Sequence, residues 1–213
     1  MDGYPIMLNL KNKEAVVVGG GQIAYRKIAG LLQSGACVTV ISPVIQLKIE
    51  ELLSDNRIAW RNKIFEPEDL DSAWIVIAAT NNEKVNEFVA LSAGNYQLVN
   101  VVDNQEISTF HVPAKLTRGD LTISVATGGA SPTLAKVIRD ELAAIYDESY
   151  EEYLEFLALA RVKVKHSILN QKIKTKLLKE ITNVSYRQSN EKQQAFLETI
   201  KGFAITEDDP ALR

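Results

Sequence analysis

An apolar run that breaks into three glycines near the N-terminus constrains the fold of this chain more than any other feature. Residues 15–19, AVVVG, have the length and composition of a buried strand. Residues 22–35, QIAYRKIAGLLQSG, have the apolar spacing of a helix, and Gly35 suits the position after the helix end. A strand, a glycine turn and a helix in this order predict the first half of a strand–helix–strand unit.

The same alternation continues through the first half of the chain. Residues 46–54 and 82–93 have helical spacing, and residues 5–10 are a candidate edge strand. Helices between parallel strands cover both faces of a sheet. We therefore predict an α/β fold with a Rossmann-like parallel sheet. Its further strands are expected at residues 37–42, 57–62, 74–80 and 97–103.

The pattern changes after residue 110. Residues 120–127, DLTISVAT, are strand-like and are expected to pair outside the main sheet, and mostly helical sequence follows from residue 131. The isolated strand and the apolar side chains of the next helix predict a homodimer interface, the apolar residues being Leu134, Val137, Ile138 and Leu142. The predicted domains are a Rossmann domain over 1–113, a dimerisation segment over 114–145 and a helical C-terminal domain over 146–213.

The glycines themselves fit the pattern G-x-G-x-x-A. Gly19 would permit the tight turn, Gly21 would let backbone N–H groups approach a pyrophosphate, and Ala24 would keep the helix close to the strand. The phosphate would lie at the helix N-terminus, where unpaired N–H groups and the helix dipole favour an anion. A purely structural glycine turn is the alternative, but the strand-to-helix context favours a dinucleotide site.

The end of the second strand leaves the choice of dinucleotide open. An acidic residue usually binds the adenosine ribose there, whereas this chain has Ser42. Ser42 can form a hydrogen bond with a ribose hydroxyl but supplies no carboxylate. No arginine follows at once to bind a 2′-phosphate, so these residues do not separate NAD from NADP.

The end of the fourth strand contributes two further candidates, Thr80 and Asn81. In a doubly wound sheet this edge faces the cofactor crevice, so both residues are expected near a dinucleotide. The alternative is that they form the N-cap pair of the helix that follows. The sequence supports both interpretations equally.

Composition and charge exclude several classes of protein. No apolar run approaches the roughly 20 residues of a membrane span, and no signal peptide is expected. The single cysteine, Cys37, fits a reducing cytoplasm. A basic stretch between Arg161 and Arg187 suits a solvated helix face or an anion-binding surface. The net charge of −3 and the lack of interleaved aromatics argue against nucleic-acid binding.

No metal site is predicted. The two histidines, His111 and His166, are far apart in sequence, and no cluster of cysteines and histidines is present. His111 could ligate a metal near Asp103, but a lone histidine in an apolar segment is more often packed. Two candidate ligands do not define a site.

Four segments in order resemble the precorrin-2 dehydrogenase family, which is also found as the N-terminal half of siroheme synthase. They are residues 3–27, residues 77–86 (IAATNNEKVN), residues 99–114 (VNVVDNQEISTFHVPA) and residues 123–142 (ISVATGGASPTLAKVIRDEL). The resemblance extends from about residue 3 to residue 145. It implies a homodimer that oxidises precorrin-2 to sirohydrochlorin with NAD, on the way to siroheme or cobalamin.

The resemblance also implies roles for individual residues. The nucleotide-contacting positions of the family fall on Gln22, Ile23, Pro43 and Val44, and its key aspartate falls on Asp103. Asp103 follows the fifth strand, where a carboxylate could accept a proton. A loop-capping aspartate is the alternative, and the resemblance favours the catalytic role. The fused synthase has a phosphorylatable serine where this chain has Thr127.

The implied substrate is a polycarboxylate tetrapyrrole, so a net-acidic protein needs local groups that bind carboxylates. Ser131 with Pro132 begins a helix whose N-terminal N–H groups suit an anion. The predicted substrate-binding residues are Arg118, Gly128, Gly129, Ser131, Lys136 and Arg139. Two alternatives stay open: a dehydrogenase that is also a ferrochelatase, as in some family members, and a nucleotide-sensing regulatory module without enzyme activity.

Overall fold

A computed structural model describes residues 3–203 of the chain. The residues up to Val112 form one compact unit, and those from Pro113 onwards form a second. Residues 204–213 of the predicted C-terminal domain lie outside the described residues. None of the helices between residues 3 and 203 has the length and apolar character that a membrane crossing requires.

The first unit is a five-stranded parallel sheet with the strand order β3-β2-β1-β4-β5. The predicted α/β fold with a Rossmann-like sheet is therefore confirmed. The strands are β1 Glu14–Val18, β2 Cys37–Ile41, β3 Ile58–Arg61, β4 Ile75–Ala78 and β5 Leu98–Val101. The helices are α1 Gln22–Gln33, α2 Leu47–Ser54, a 3₁₀ helix Pro67–Leu70 and α3 Glu83–Ser92.

The central strands are buried on both faces, which explains why they read as continuous apolar runs. In β1, Ala15 and Val17 pack on one side of the sheet with residues of α1 and α2. Val16 and Val18 pack on the other side with Val89 of α3. The alternation of side chains along the strand therefore divides the core of this unit into two layers.

Residues 5–10 do not form the edge strand that the sequence suggested. They lead directly into β1, which is the central strand and is already paired with β2 on one side and β4 on the other. The three residues between this segment and β1 are too few to reach an edge of the sheet. The segment contributes Leu10 to the core instead.

A buried carboxylate binds three donors at the end of β3 and in the segment that follows it. Asp69, whose side chain is 3% exposed, lies 2.9 Å from the guanidinium of Arg61 and 3.2 Å from the amine of Lys63. It also accepts a hydrogen bond of 3.0 Å from the backbone N–H of Glu66. Burial works to raise the pKa of Asp69, but these three donors outweigh it and hold the pKa below the ordinary aspartate value of 3.8.

Asp69→Asn is expected to lower the free energy of unfolding by about 1–2 kcal/mol at neutral pH. Hydrogen bonds to charged groups contribute about 1.5–3 kcal/mol, and the partial exposure of Arg61 and Lys63 reduces that figure. Because the folded pKa is depressed, the contribution is present above pH 3.8 and is lost as the pH falls through the folded value. Urea unfolding of both proteins should therefore show a stability difference that narrows in acid.

The exposed neighbour Asp71 supplies the matched control. Asp71→Asn makes the same chemical change within two residues and should leave unfolding nearly unchanged at each pH. A difference between Asp69→Asn and the unmodified protein that stayed constant from about pH 7 to about pH 3 would contradict the assignment.

The second unit begins with an antiparallel hairpin and continues as helices. The hairpin pairs β6 Ala114–Arg118 with β7 Leu121–Val125, and its turn contains Gly119 at φ +52°. The predicted strand outside the main sheet is thereby confirmed, whereas β6 was not predicted. The helices are α4 Pro132–Ile145, α5 Ser149–Lys165, α6 Gln171–Glu180, α7 Val184–Arg187 and α8 Asn190–Lys201.

The helices from α5 onwards share an aromatic core. Tyr153 and Phe156 of α5 are buried with Phe196 of α8, and the hydroxyl of Tyr153 donates a 2.6 Å hydrogen bond to the backbone oxygen of Ile181. This core explains why α5 and α8 are stable despite their high content of charged residues.

Candidate functional site

A cleft of ≈ 850 Å³ opens at the carboxyl ends of the strands in the first unit. The order of the strands changes direction between β1 and β4. Doubly wound sheets bind ligands in the crevice outside the carboxyl ends of the strands at such a point. Four loops and the first turns of α3 form its walls. The lining residues are 18–21, 41–46, 63–65, 80–82, 85 and 88.

Packing requires glycine at two of the three positions of the turn. Gly19 has φ +125°, and a Cβ there would lie 2.3 Å from the backbone oxygen of Ala79. A Cβ on Gly20 would lie 2.0 Å from the backbone oxygen of Val44. Neither position has room for a side chain. These two glycines therefore let the turn pass close to the neighbouring loops.

Gly21 differs, because no protein atom lies within 4 Å of the position of a Cβ there. Its φ of −89° is accessible to any residue. Packing against the rest of the unit therefore does not account for a glycine at this position. The space above it is open and belongs to the cleft.

The N-terminus of α1 begins at this open space. Gly21 is the N-cap residue, no side chain caps the helix, and the first turn contains no acidic residue. Gln22 and Ile23 are exposed, whereas Ala24 is fully buried against the sheet. Free N–H groups, the positive end of the helix dipole and room for a phosphate occur together, so these residues fit the pyrophosphate of a dinucleotide.

The loop after β2 forms a second wall of the cleft. Pro43 and Val44 line it with exposed apolar surface. Ser42 also lines it, but its hydroxyl donates a 2.7 Å hydrogen bond to the backbone oxygen of Val44. Only the lone pairs of the Ser42 oxygen are therefore available to a ribose hydroxyl.

The loop after β4 excludes the N-cap interpretation of Thr80 and Asn81. The N-cap of α3 is Asn82, whose side chain accepts hydrogen bonds from the N–H groups of Lys84 and Val85 at 3.0 and 3.4 Å. Thr80 and Asn81 line the cleft instead. The expectation that the pair caps α3 is thus wrong by one residue, because the helix begins at Glu83.

A buried asparagine that the sequence analysis missed lies behind this wall. Asn86 of α3 is 0% exposed, and its amide oxygen accepts hydrogen bonds from the N–H and the hydroxyl of Thr80 at 3.0 and 2.8 Å. Its amide nitrogen donates to the backbone oxygen of Thr80 at 3.1 Å and to Asp103 Oδ2 at 2.8 Å. Asn86 therefore joins the loop after β4 to the loop after β5.

Asp103 follows β5 by two residues and is exposed. Within the described part of the chain it is not among the residues that line the cleft. Its hydrogen bond to Asn86, which in turn binds the cleft residue Thr80, keeps it at the same edge of the sheet. The carboxylate is therefore accessible to a ligand that extends beyond the cleft.

No metal site accompanies Asp103 in the part of the chain that the structure describes. His111 is exposed in the loop after β5. Among residues 3–203, no group of three or more histidine, cysteine, aspartate or glutamate side chains is arranged to hold a metal ion.

The predicted substrate-binding residues all lie in the second unit. Gly128 and Gly129, at φ +60° and +88°, form the left-handed turn between β7 and α4. The hydroxyl of Thr127 accepts a 3.1 Å hydrogen bond from the N–H of Ser131. Ser131 is the N-cap of α4 and accepts a 3.1 Å hydrogen bond from the N–H of Leu134. The turn therefore fixes where this helix begins.

The basic candidates lie at the end of β6 and on α4. Arg118 forms an ion pair of 3.2 Å with Glu148, and Lys136 is exposed. Asp140 lies 2.7 Å from Arg139 Nε, but outside the direction of that N–H. The Nε groups of Arg118 and Arg139 are both buried without an acceptor among residues 3–203. Each of the two arginines nevertheless already has a carboxylate partner within the second unit, Glu148 for Arg118 and Asp140 for Arg139.

Three family models match successive parts of the chain. Residues 6–114 match the model described as "NAD(P)-binding", which covers half of the chain. Residues 118–145 match "Sirohaem biosynthesis protein central", and residues 150–196 match "SirC C-terminal domain". The expected dinucleotide-binding class of the first unit is thus confirmed.

Individual relatives extend the similarity to nearly the whole chain. A precorrin-2 dehydrogenase of Priestia megaterium is 38% identical over 94% of this chain and 99% of its own length. A siroheme synthase of Nitrosomonas europaea is 38% identical over 80% of this chain but only 36% of its own length. The solved structure of "SirC, precorrin-2 dehydrogenase" superposes with a TM-score of 0.84 at 38% identity, covering 94% of this chain and 100% of that one. The chain belongs to the precorrin-2 dehydrogenase family.

Proposed function

We propose that this protein oxidises precorrin-2 to sirohydrochlorin with NAD as the hydride acceptor, in the biosynthesis of siroheme or cobalamin. The observation that carries the proposal is the open space above Gly21 at the uncapped start of α1. The similarity to a precorrin-2 dehydrogenase over 94% of this chain supports the same proposal. We also propose a cytoplasmic location, which suits the single cysteine.

The cofactor site is assigned to the cleft of the first unit. The N–H groups of Gly21, Gln22 and Ile23 would bind the pyrophosphate, since a helix N-terminus favours an anion. Ser42, Pro43 and Val44 would border the adenosine, and Thr80 and Asn81 would border the other half of the dinucleotide. Bound NAD supplies the acceptor for the hydride, so the protein's task is to orient it and to manage protons.

Asp103 is assigned as the general base. Removal of a hydride from the macrocycle leaves a proton to be lost, and an exposed carboxylate at the same edge of the sheet can accept it. One carboxylate oxygen is held by Asn86. The other oxygen of Asp103 is then available to take the proton.

Carboxylate binding is assigned to residues of the second unit. Arg118, Lys136 and Arg139 supply positive charge for this role, and Lys136 is the exposed one of the three. The Gly128–Gly129 turn and the N-cap Ser131 leave the first N–H groups of α4 able to bind a carboxylate.

We further propose that the chain is a homodimer and that residues 114–145 supply most of the interface. In the sequence this dimerisation segment follows a cofactor domain (1–113) and precedes a C-terminal domain (146–213). The family-model boundaries support this three-part division. Along α4 only Ala135 is buried, and Leu134, Val137 and Ile145 are 50%, 47% and 61% exposed. An apolar helix face of this kind indicates a missing partner surface.

Light scattering at micromolar concentration is expected to give twice the mass of the 23.6 kDa chain. Replacing Leu134 and Val137 together by glutamate should shift the mass towards that of one chain, because charges would be buried in the interface. The double change Leu91→Glu and Tyr96→Glu, at exposed apolar positions of the first unit, is the control and should leave the mass unchanged. A monomeric unmodified protein would contradict the proposal.

The function is tested by supplying precorrin-2 with NAD or NADP and following the absorbance of sirohydrochlorin. Turnover with NAD and much slower turnover with NADP is the expected result. Binding of NAD without turnover would instead favour a nucleotide-sensing module. Turnover that proceeds equally fast without any nucleotide would contradict the assignment.

A further inference from the structure

We propose that Asn86 is a positioning residue that sets the orientation of the Asp103 carboxylate relative to the cofactor cleft. The inference rests on the proposed function, because it concerns how the general base is held. Asn86 itself is fully buried and has no access to substrate. It would act through Asp103, by the 2.8 Å hydrogen bond from its amide nitrogen to Asp103 Oδ2.

The orientation of the Asn86 amide is determined by its four hydrogen bonds. Its oxygen accepts two bonds from Thr80, and its nitrogen donates one to the backbone oxygen of Thr80 and one to Asp103. A flipped amide would place its oxygen against two acceptors and its nitrogen against the N–H of Thr80. Because each of these contacts would be unfavourable, the nitrogen faces Asp103 in the folded protein.

Asp103 depends on this bond for its own orientation. It lies in the loop after β5, and within residues 3–203 its carboxylate has no other hydrogen-bond partner. Without the amide, the exposed carboxylate would be free to rotate among its rotamers. With it, one oxygen is fixed and the other is left to accept a proton.

The same amide also relates the base to the cofactor cleft. Thr80 lines the cleft at the end of β4, and Asp103 follows β5. Asn86 bonds to both residues, so it fixes the separation between the cleft wall and the carboxylate. Loss of the amide should therefore reduce kcat, which depends on alignment, more than it reduces NAD affinity.

The test is a double-mutant cycle of Asn86→Ala and Asp103→Asn, read as kcat for precorrin-2 oxidation. If Asn86 acts through the carboxylate, Asn86→Ala should lower kcat about 10- to 100-fold when Asp103 is present. The same change should alter kcat less than about twofold in the Asp103→Asn background. Glu87→Ala, at an exposed neighbouring position of α3, is the control and should leave kcat unchanged.

Equal losses in both backgrounds would overturn the inference and leave the proposed function standing. An Asp103→Asn enzyme with full activity would overturn the inference together with the general-base assignment. If Asn86→Ala does not fold, the same cycle is run with Asn86→Asp. That variant keeps an acceptor for Thr80 but presents an acceptor, in place of a donor, to Asp103.

A stability readout tests the contact without any enzyme activity. Asn86→Asp places two carboxylates in contact and should lower the midpoint of urea unfolding. Adding Asp103→Asn restores a donor between the two positions, so the double variant should recover part of that loss. A double variant no more stable than Asn86→Asp alone would overturn the proposed contact.

Discussion

Asp103→Asn is expected to lower kcat for precorrin-2 oxidation by about 10²–10⁴-fold, the usual contribution of a general base. The structure explains why this nearly isosteric change should be so effective. The amide nitrogen of Asn86 donates to position 103, so it would attract the oxygen of the new asparagine. The group left to face the substrate would then be an NH₂, which cannot accept a proton.

Three measurements separate the roles that Asp103 could have. NAD affinity by calorimetry should change little, because in the described residues Asp103 lies outside the cleft lining. A loss confined to kcat indicates a base, whereas a loss mainly in KM indicates substrate binding. Glu106→Gln makes the same change at an exposed residue of the same loop and should retain activity. The assignment would be falsified if Asp103→Asn kept more than about a third of the unmodified kcat.

The fold of the first unit was predictable because its signals are local. Strands buried on both faces are continuous apolar runs, so β1 and β4 are visible in the sequence without knowledge of their neighbours. Strand β6 was not predictable in this way. Its sequence, AKLTR, buries only Leu116, and its pairing with β7 depends on a turn rather than on an apolar run.

The candidate site was predictable only where residue type alone carries the information. The spacing of Gly19 and Gly21 indicates a phosphate-binding turn, but it does not show that packing excludes a side chain at one and not at the other. Asn86 was missed for a different reason. A polar residue in a charged helix normally faces solvent, and its partner Asp103 is 17 residues away. Only the packing of α3 against the sheet brings the two together.

Gly21→Asp is expected to separate cofactor binding from folding. A Cβ at this position meets no protein atom within 4 Å, and φ of −89° suits any residue, so the fold should tolerate the change. Position 21 is the N-cap of α1, where aspartate is favoured over glycine by a few tenths of a kcal/mol. The helix dipole adds about 0.3–1 kcal/mol for a negative charge at this end. Thermal unfolding without cofactor should therefore show unchanged or slightly raised stability.

NAD affinity of the same variant should fall about 100-fold or more. The new carboxylate would occupy the open space, satisfy the N–H groups of α1 and repel the pyrophosphate. Loss of one hydrogen bond to a charged group costs about 1.5–3 kcal/mol, and each 1.4 kcal/mol is a factor of ten. Calorimetry measures this effect directly.

Gly21→Ala is the matched control, because it adds a Cβ in the same open space without a charge or a capping oxygen. It should weaken NAD binding less than Gly21→Asp and should not gain the stability of a capped helix. Unchanged NAD affinity in Gly21→Asp would show that the pyrophosphate binds elsewhere. In Gly21→Asp, the carboxylate and the pyrophosphate would compete for the same N–H groups of α1. Raised thermal stability together with lost NAD affinity would therefore show that this helix N-terminus is left uncapped so that the ligand can bind it.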